Sequence, residues 1–457
     1  MKYSLLKAGV LAAAASLVAC GGGGGGESGG GATTSTTTPV AVSLSVQVNG
    51  VTRTADANGN IAINAGDVVS ITSNQAVNVI SAALAGAATK ARLSAVASQS
   101  WAATILNGRT VTGTLTVSAT ASNGLSASIN LVVAAGDARN GNYTVFAANG
   151  TRQTLALDFN GLVYDMTDAA SVTTSGTLAA DATEPGTYRM VSVRNAGSAA
   201  NTARLRTTTD TVVGTFPFAT AFASPVSYSV QPFVATRALV TTQSALDGTY
   251  NRLAVRATAT GRDSLISQIR VRNAGTFLDV CNDAVVYTVA TCPTGSVRTY
   301  AVAPATTAGT WNGINVADAT DTGSFSIATI GSQNVYLDAG TVSAVAVPTV
   351  QFRIGTPEGT FNNVTVRGGS TDGAWGSAAV TGTSFGSTGV LPTGAGITAT
   401  LSLIGAGASG PTGMRVAQAA SNGGSGYWLA QSNKLGVMVG ARSNVGTQGF
   451  LQVGLID

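Results

Sequence analysis

The chain contains no histidine. That absence removes the usual general base and the commonest metal ligand. Neither a Ser-His-Asp nor a Cys-His apparatus, nor a histidine zinc site, can be assembled from it. Charge is also scarce, with 24 Lys+Arg and 20 Asp+Glu among 457 residues. A formal +4 spread that thinly lacks the clustered basic side chains of a nucleic-acid binder, so no nucleic-acid partner is expected. Walker, dinucleotide and EF-hand patterns are missing, and no cofactor, metal or catalytic residue is expected. The 57 glycines follow no three-residue period, which excludes collagen. Low charge beside 44% hydrophobic residues is unlike a disordered chain.

Cysteine is nearly absent too, and its three positions are informative. Cys281 and Cys292 stand eleven positions apart and are expected to form a disulfide if the chain is exported, the alternative being two separate thiols. Closing so short a loop stabilises by roughly 2–3 kcal/mol. The third, Cys20, follows a positive start (Met1, Lys2, Lys7) and an apolar run from Ala8 to Ala19. The run is too short to span a bilayer as a helix and reads as an export signal. Leu17-Val18-Ala19-Cys20 resembles a bacterial lipobox. That resemblance implies removal of residues 1–19 and acylation of Cys20, so that the lipid bilayer becomes a partner. Two or more acyl chains make an anchor where one does not. Gly21, where an aspartate would imply inner-membrane retention, implies the outer membrane, with the leaflet left open and the cell surface included. Residues 20–40, rich in Gly and Thr, read as a flexible tether.

Beyond the tether the signals are those of strands. Val42, Leu44, Val46 and Val48 alternate with polar residues, and Asn49-Gly50, Asn58-Gly59 and Asn123-Gly124 are turn signals. Residues 41–135 resemble bacterial immunoglobulin-like modules, through Gly66-Asp67-Val68-Val69-Ser70-Ile71 and the closing hairpin across Asn123-Gly124. The alanine-rich 77–97 is expected to hold a short helix. From Gly136-Asp137 onward a Gly–Thr–aromatic pattern recurs, at Gly141-Asn142-Tyr143, Gly186-Thr187-Tyr188, Gly248-Thr249-Tyr250, Gly309-Thr310-Trp311 and Gly359-Thr360-Phe361. Alternate copies divide the rest into β units at 136–246, 247–356 and a Gly-rich 357–457, whose middle, 368–426, reads as loose. Val193-Arg194-Asn195-Ala196-Gly197 and Val271-Arg272-Asn273-Ala274-Gly275 look like related copies, with arginines facing outward on solvated sheet edges. The expected fold is all-β: an immunoglobulin-like sandwich followed by repeated antiparallel units, sandwich or barrel-like.

Candidate chemistry is thin. Paired carboxylates run glycosidases without histidine, but Asp67, Asp137, Asp247 and Glu358 accompany turns. Asp318 and Asp321 are too few for a calcium loop. Tyr427 and Trp428 offer rings for stacking on a sugar, against the plainer reading as core residues. Overall the chain resembles glycine-led outer-membrane lipoproteins of Gram-negative bacteria. The expected role is non-enzymatic, adhesive or envelope-structural, with a glycan or an envelope protein as candidate partner. The alternative is an extracellular protein that binds or degrades a polysaccharide.

Overall fold

The computed structural model describes residues 39–457, apart from 65–66, 86–89, 98, 107–112, 134–135, 282–286, 344, 406–409, 420–425 and 442–445. Residues 1–38, including the lipobox-like segment and Cys20, lie outside the described residues. Strands from Gly141–Ala147 to Tyr228–Thr236 form a first closed barrel. Those from Gly248–Ala257 to Val350–Pro357 form a second, and those from Thr365–Ser370 to Leu451–Ile456 a third. Each has eight antiparallel strands in chain order, closed by pairing the first strand with the last. This corrects the expectation of an immunoglobulin-like sandwich leading repeats of undecided closure. Closure is set by the pairing of strands far apart in sequence, which alternation along any one strand does not encode.

Ahead of the barrels, residues 44–133 form two sheets. Leu44–Val48 sits within a five-stranded sheet and Gly113–Ala121 within a four-stranded one. Val46, Ile71, Ile61, Val117 and Leu131 from the two sheets share one core. Among the described residues the alanine-rich segment holds strands rather than a helix: Val77–Ala85 and Lys90–Ala97, paired to Gly113–Ala121 and Ser100–Leu106. Partner strands override the helical preference of alanine here.

The Gly–Thr–aromatic pattern marks particular strands. Tyr143 and Tyr250 lie on the first strands of the first two barrels, while Tyr188 and Trp311 lie on their fifth strands, Thr187–Val191 and Trp311–Asn315. All four aromatics belong to or pack on the cluster inside their own barrel. Phe361 precedes the third barrel's first strand and packs on its interior cluster. The two Val-Arg-Asn-Ala-Gly copies differ. Val193–Asn195 is a 3-10 helix, whereas Arg272 ends the strand Arg262–Arg272 and Asn273-Ala274 turn the chain with φ of 57° and 54°. No barrel edge needs guarding there. Arg270 and Arg272 instead reach Asp279 on the neighbouring strand, at 3.0 and 2.7 Å. Burial would raise the Asp279 carboxyl, but donation from Arg272, Arg270 and Thr299 outweighs it and holds the carboxyl below its ordinary range.

The barrels are packed against one another. Consecutive residues of single strands divide between two cores. Tyr143, Val145 and Ala147 belong to the first barrel's interior, while Phe146 and Ala148 belong to a second cluster. That cluster also takes Val213 and Val234 from the first barrel, Leu253, Leu337 and Phe352 from the second, and Val437, Leu451 and Val453 from the third. It is a shared core outside all three walls. Strands buried on both faces, such as Thr211–Ala219, accordingly show no alternation of buried and exposed residues. Directional bonds accompany it at each contact. Arg152 Nη1 donates to Thr310 Oγ1 at 3.2 Å, Trp375 Nε1 to Glu184 Oε2 at 2.8 Å, and Asn251 Nδ2 to the Thr412 carbonyl at 2.7 Å.

The glycine-rich 368–426 corrects a further expectation, because it carries walls of the third barrel, Thr365–Ser370, Trp375–Thr381, Ser384–Val390, Gly396–Gly405 and Met414–Ala419. The glycines fall in register across five strands: Gly389 pairs Gly376, Gly376 pairs Gly368, Gly368 pairs Gly454, and Gly454 pairs Gly436. A Cβ on Gly368 would meet the Val453 carbonyl, and one on Gly376 the Thr388 carbonyl. The belt is a crease where backbones approach too closely for a side chain, which lets the sheet curl shut.

Gly368→Ala is therefore expected to destabilise by about 1–3 kcal/mol, read as a lower urea midpoint. Gly386→Ala, whose Cβ would meet nothing within 4 Å, should shift stability by less than about 0.5 kcal/mol. Equal midpoints for the two variants would refute the crease.

Candidate functional site

The three barrel interiors are filled differently. The first is packed with aromatic rings in edge-to-face contact, among them Phe216 with Phe218 at 5.3 Å and Phe218 with Phe233 at 5.9 Å. The third keeps a hollow of about 200 Å³, lined by rings such as Tyr427 and Phe450 and by small residues. The second holds a polar cavity of about 360 Å³.

That cavity follows from which residues face inward. On Gly248–Ala257 the outward Leu253 and Val255 join the shared core, so Tyr250, Arg252, Ala254 and Arg256 point inside. On Gln333–Thr341 the outward Val335, Leu337 and Ala339 leave Tyr336 and Asp338 inside. On Val350–Pro357 the outward Phe352 and Ile354 leave Gln351 and Arg353 inside. Toward one end the barrel is apolar, with Tyr250, Ile269, Trp311 and Ile327. A stacked pair follows, Phe325 and Tyr336, with centroids 5.2 Å apart. Beyond it Arg252, Asp338, Gln351 and Arg353 face the cavity, together with Arg256, Arg298, Tyr300 and Asp321.

Asp338 is the hub of the buried layer. It is 2% exposed, and its Oδ2 accepts from Gln351 Nε2 at 2.9 Å and from Arg353 Nη1 at 3.2 Å. Burial pushes its carboxyl up, against the pull of Arg353, Arg152 and Arg252. Arg252 donates through Nε to Ser267 Oγ at 2.9 Å. Burial pulls its guanidinium down to about 10, and the like charge of Arg353 adds to the effect. Two buried polar atoms in this layer, Gln351 Oε1 and Arg353 Nε, have no hydrogen-bond partner. Nearer the mouth, Asp321 Oδ2 accepts from Tyr300 Oη at 2.8 Å, Asn315 Nδ2 at 2.9 Å and Arg298 Nη1 at 3.2 Å.

The residues singled out in the sequence are placed as follows. Cys281 and Cys292 are bridged, with Cα atoms 5.7 Å apart. Tyr287 and Val289, expected with Val285 and Val286 on strands of a hairpin that the bridge crosses, are not on strands. Val285 and Val286 lie outside the described residues. Asp318 accepts from the Thr320 backbone and hydroxyl and shares the cavity lining with Asp321. Tyr427 meets Phe450 edge to face at 5.5 Å, and Trp428 packs on the shared core. Sequence reasoning missed Arg252, Asp338, Gln351 and Arg353. A signal existed in parity, since Arg252 sits two residues from the inward Tyr250 and therefore shares its face.

No family model matches the chain, and no curated protein matches it. Among solved structures, it shows a slight likeness to a quinonprotein alcohol dehydrogenase-like protein from Bacteroides thetaiotaomicron, at 10% identity and a TM-score of 0.16, covering 90% of this chain and 99% of that one. A likeness so slight carries no argument about fold or chemistry. The resemblance to glycine-led outer-membrane lipoproteins with an immunoglobulin-like module is corrected by the three closed barrels.

The raised Asp338 carboxyl gives a pH dependence of definite sign. A carboxyl whose folded pKa exceeds its ordinary value of 3.8 favours the fold below that value, and the benefit is lost as pH rises through the folded pKa. Asp338→Asn keeps an acceptor for Gln351 and removes the titration. Urea unfolding between about pH 3 and pH 7 should show wild type losing stability relative to Asp338→Asn as pH rises. A difference independent of pH would contradict the burial argument.

Proposed function

We propose that the chain binds a saccharide in the cavity of its second barrel. One observation carries this reading: donors and acceptors line the wall of one open polar cavity. Such a wall calls for a molecule whose groups serve as donor and acceptor at once. A sugar hydroxyl is both. The cavity offers acceptors in Gln351, Asp338 and Asp321, donors in Arg298 and Arg353, and the ring of Tyr300 as an apolar face. Its volume, about 360 Å³, falls within the range of small-molecule sites.

These features support the polysaccharide-binding alternative over a purely adhesive or envelope-structural role, which needs no internal cavity. The Cys281–Cys292 bridge supports an oxidising compartment. Export directed by residues 1–19, with acylation at Cys20 holding the chain to a membrane, belongs to the same proposal. Incorporation of labelled fatty acid that is lost in Cys20→Ser tests that placement, and unchanged incorporation refutes it.

A hydrolytic reading has one observation in its favour, the raised Asp338 carboxyl, which suits a general acid. Its second carboxylate is poorly placed for the task, since one oxygen of Asp321 already accepts from three donors. Binding without cleavage is the reading we adopt.

Titration of the intact protein against a panel of oligosaccharides tests it. Binding is expected, weakened about tenfold by Gln351→Ala or Tyr300→Ala, with no new reducing ends over time. Release of reducing ends that Asp338→Asn abolishes would replace binding by hydrolysis. Absence of binding across the panel would overturn the saccharide reading.

A further inference from the structure

The charges of the buried layer do not balance. Arg353 is paired with Asp338, Arg298 with Asp321 and Arg256 with Asp263, at 3.2, 3.2 and 3.1 Å. Among the described residues Arg252 has no carboxylate within salt-bridge distance, although it is only 7% exposed. It donates through Nε to Ser267 Oγ and shares a further side-chain hydrogen bond with Tyr336. Tyr336, the ring beneath its guanidinium at 5.9 Å, is held as a neutral phenol because burial raises its pKa. Arg353 stands close enough to repel Arg252, and its Nε is an orphaned donor. Arg353, Arg252 and Arg152 therefore act on one carboxylate, in a place where an uncompensated buried charge is costly.

We infer that the ligand of the second barrel carries a carboxylate, received between Arg252 and Arg353. The inference rests on the saccharide reading for the body of the ligand and adds its charge. A carboxylate fits the planar donor fork of a guanidinium. It would give Arg252 a counter-ion of its own. The class of ligand is then a uronic-acid-bearing saccharide rather than a neutral one. Arg252 also becomes separable from the fold. Removing an unpaired buried cation should leave stability unchanged or raised, while binding falls.

The test uses the intact protein and three probes: a glucuronate-bearing disaccharide, its carboxyl-reduced neutral counterpart, and glutarate as a carboxylate without sugar. Calorimetric titration should show the acidic disaccharide binding about tenfold to a hundredfold more tightly than the neutral one. That preference should vanish in Arg252→Met, whose thermal midpoint should equal or exceed that of wild type. Equal affinity for the acidic and neutral disaccharides would overturn the carboxylate and leave the saccharide reading intact. Glutarate binding that depends on Arg252, with no disaccharide bound, would uphold the carboxylate and overturn the saccharide. An acidic preference that persists in Arg252→Met would overturn the assignment to this residue. Where Arg252→Met fails to fold, Arg252→Lys serves. It keeps the charge and loses the planar fork, and should retain only part of the preference; full retention would overturn the fork.

Discussion

The association of the three barrels depends on one shared apolar core, built from the outer faces of all three. Phe146, Phe352 and Val453 come from different barrels and lie in the same cluster. A closed barrel has no edge to offer a neighbour, so its walls associate only by burying side chains on their outside. The core has a second consequence. Wherever a wall turns Leu or Val outward, the intervening residues turn inward, so the positions that weld the barrels also decide which residues enter each interior.

The three interiors use that constraint differently. In the first, aromatic inward residues fill the space. In the third, glycine and alanine leave it partly hollow, and the glycine crease bends the wall. In the second, apolar residues fill one end only, and polar residues take the remainder. Rigidity suits such a site. Arg252, Asp338 and Arg353 stand on paired strands of a closed sheet, where their spacing is held by backbone hydrogen bonds rather than by loop conformation. Charged side chains so placed are costly to the fold, and a scarcity of charge elsewhere in the chain makes their gathering here more telling.

Much of the local structure was legible in the sequence, and little of the site was. The alternation of Gly113–Ala121 and the turn at Asn123-Gly124 express short-range rules, and the cysteine spacing announced the bridge. Closure was not legible, because Gly368 meets Gly454 only after six intervening strands have been laid down. Strands buried on both faces, such as Leu435–Gly440, lose the period of two that identifies a half-buried strand. The glycine-rich 368–426 was misread for a related reason, since glycine usually signals a loop and here permits close strand approach. Arg252 and Arg353 were not singled out, because exposure is the common state for arginine and nothing along one strand marks these two as different. Only the shared core, invisible in one strand alone, shows that Arg252 and Arg353 point inward.

The central claim is that the polar cavity of the second barrel is the ligand site. Crystals of the intact protein grown with a bound saccharide test it most directly. The account predicts density inside the second barrel, hydrogen-bonded to side chains that line its cavity, such as Tyr300, Arg298 and Gln351. Density in the hollow of the third barrel or on an outer wall, with the cavity of the second barrel empty, would contradict it.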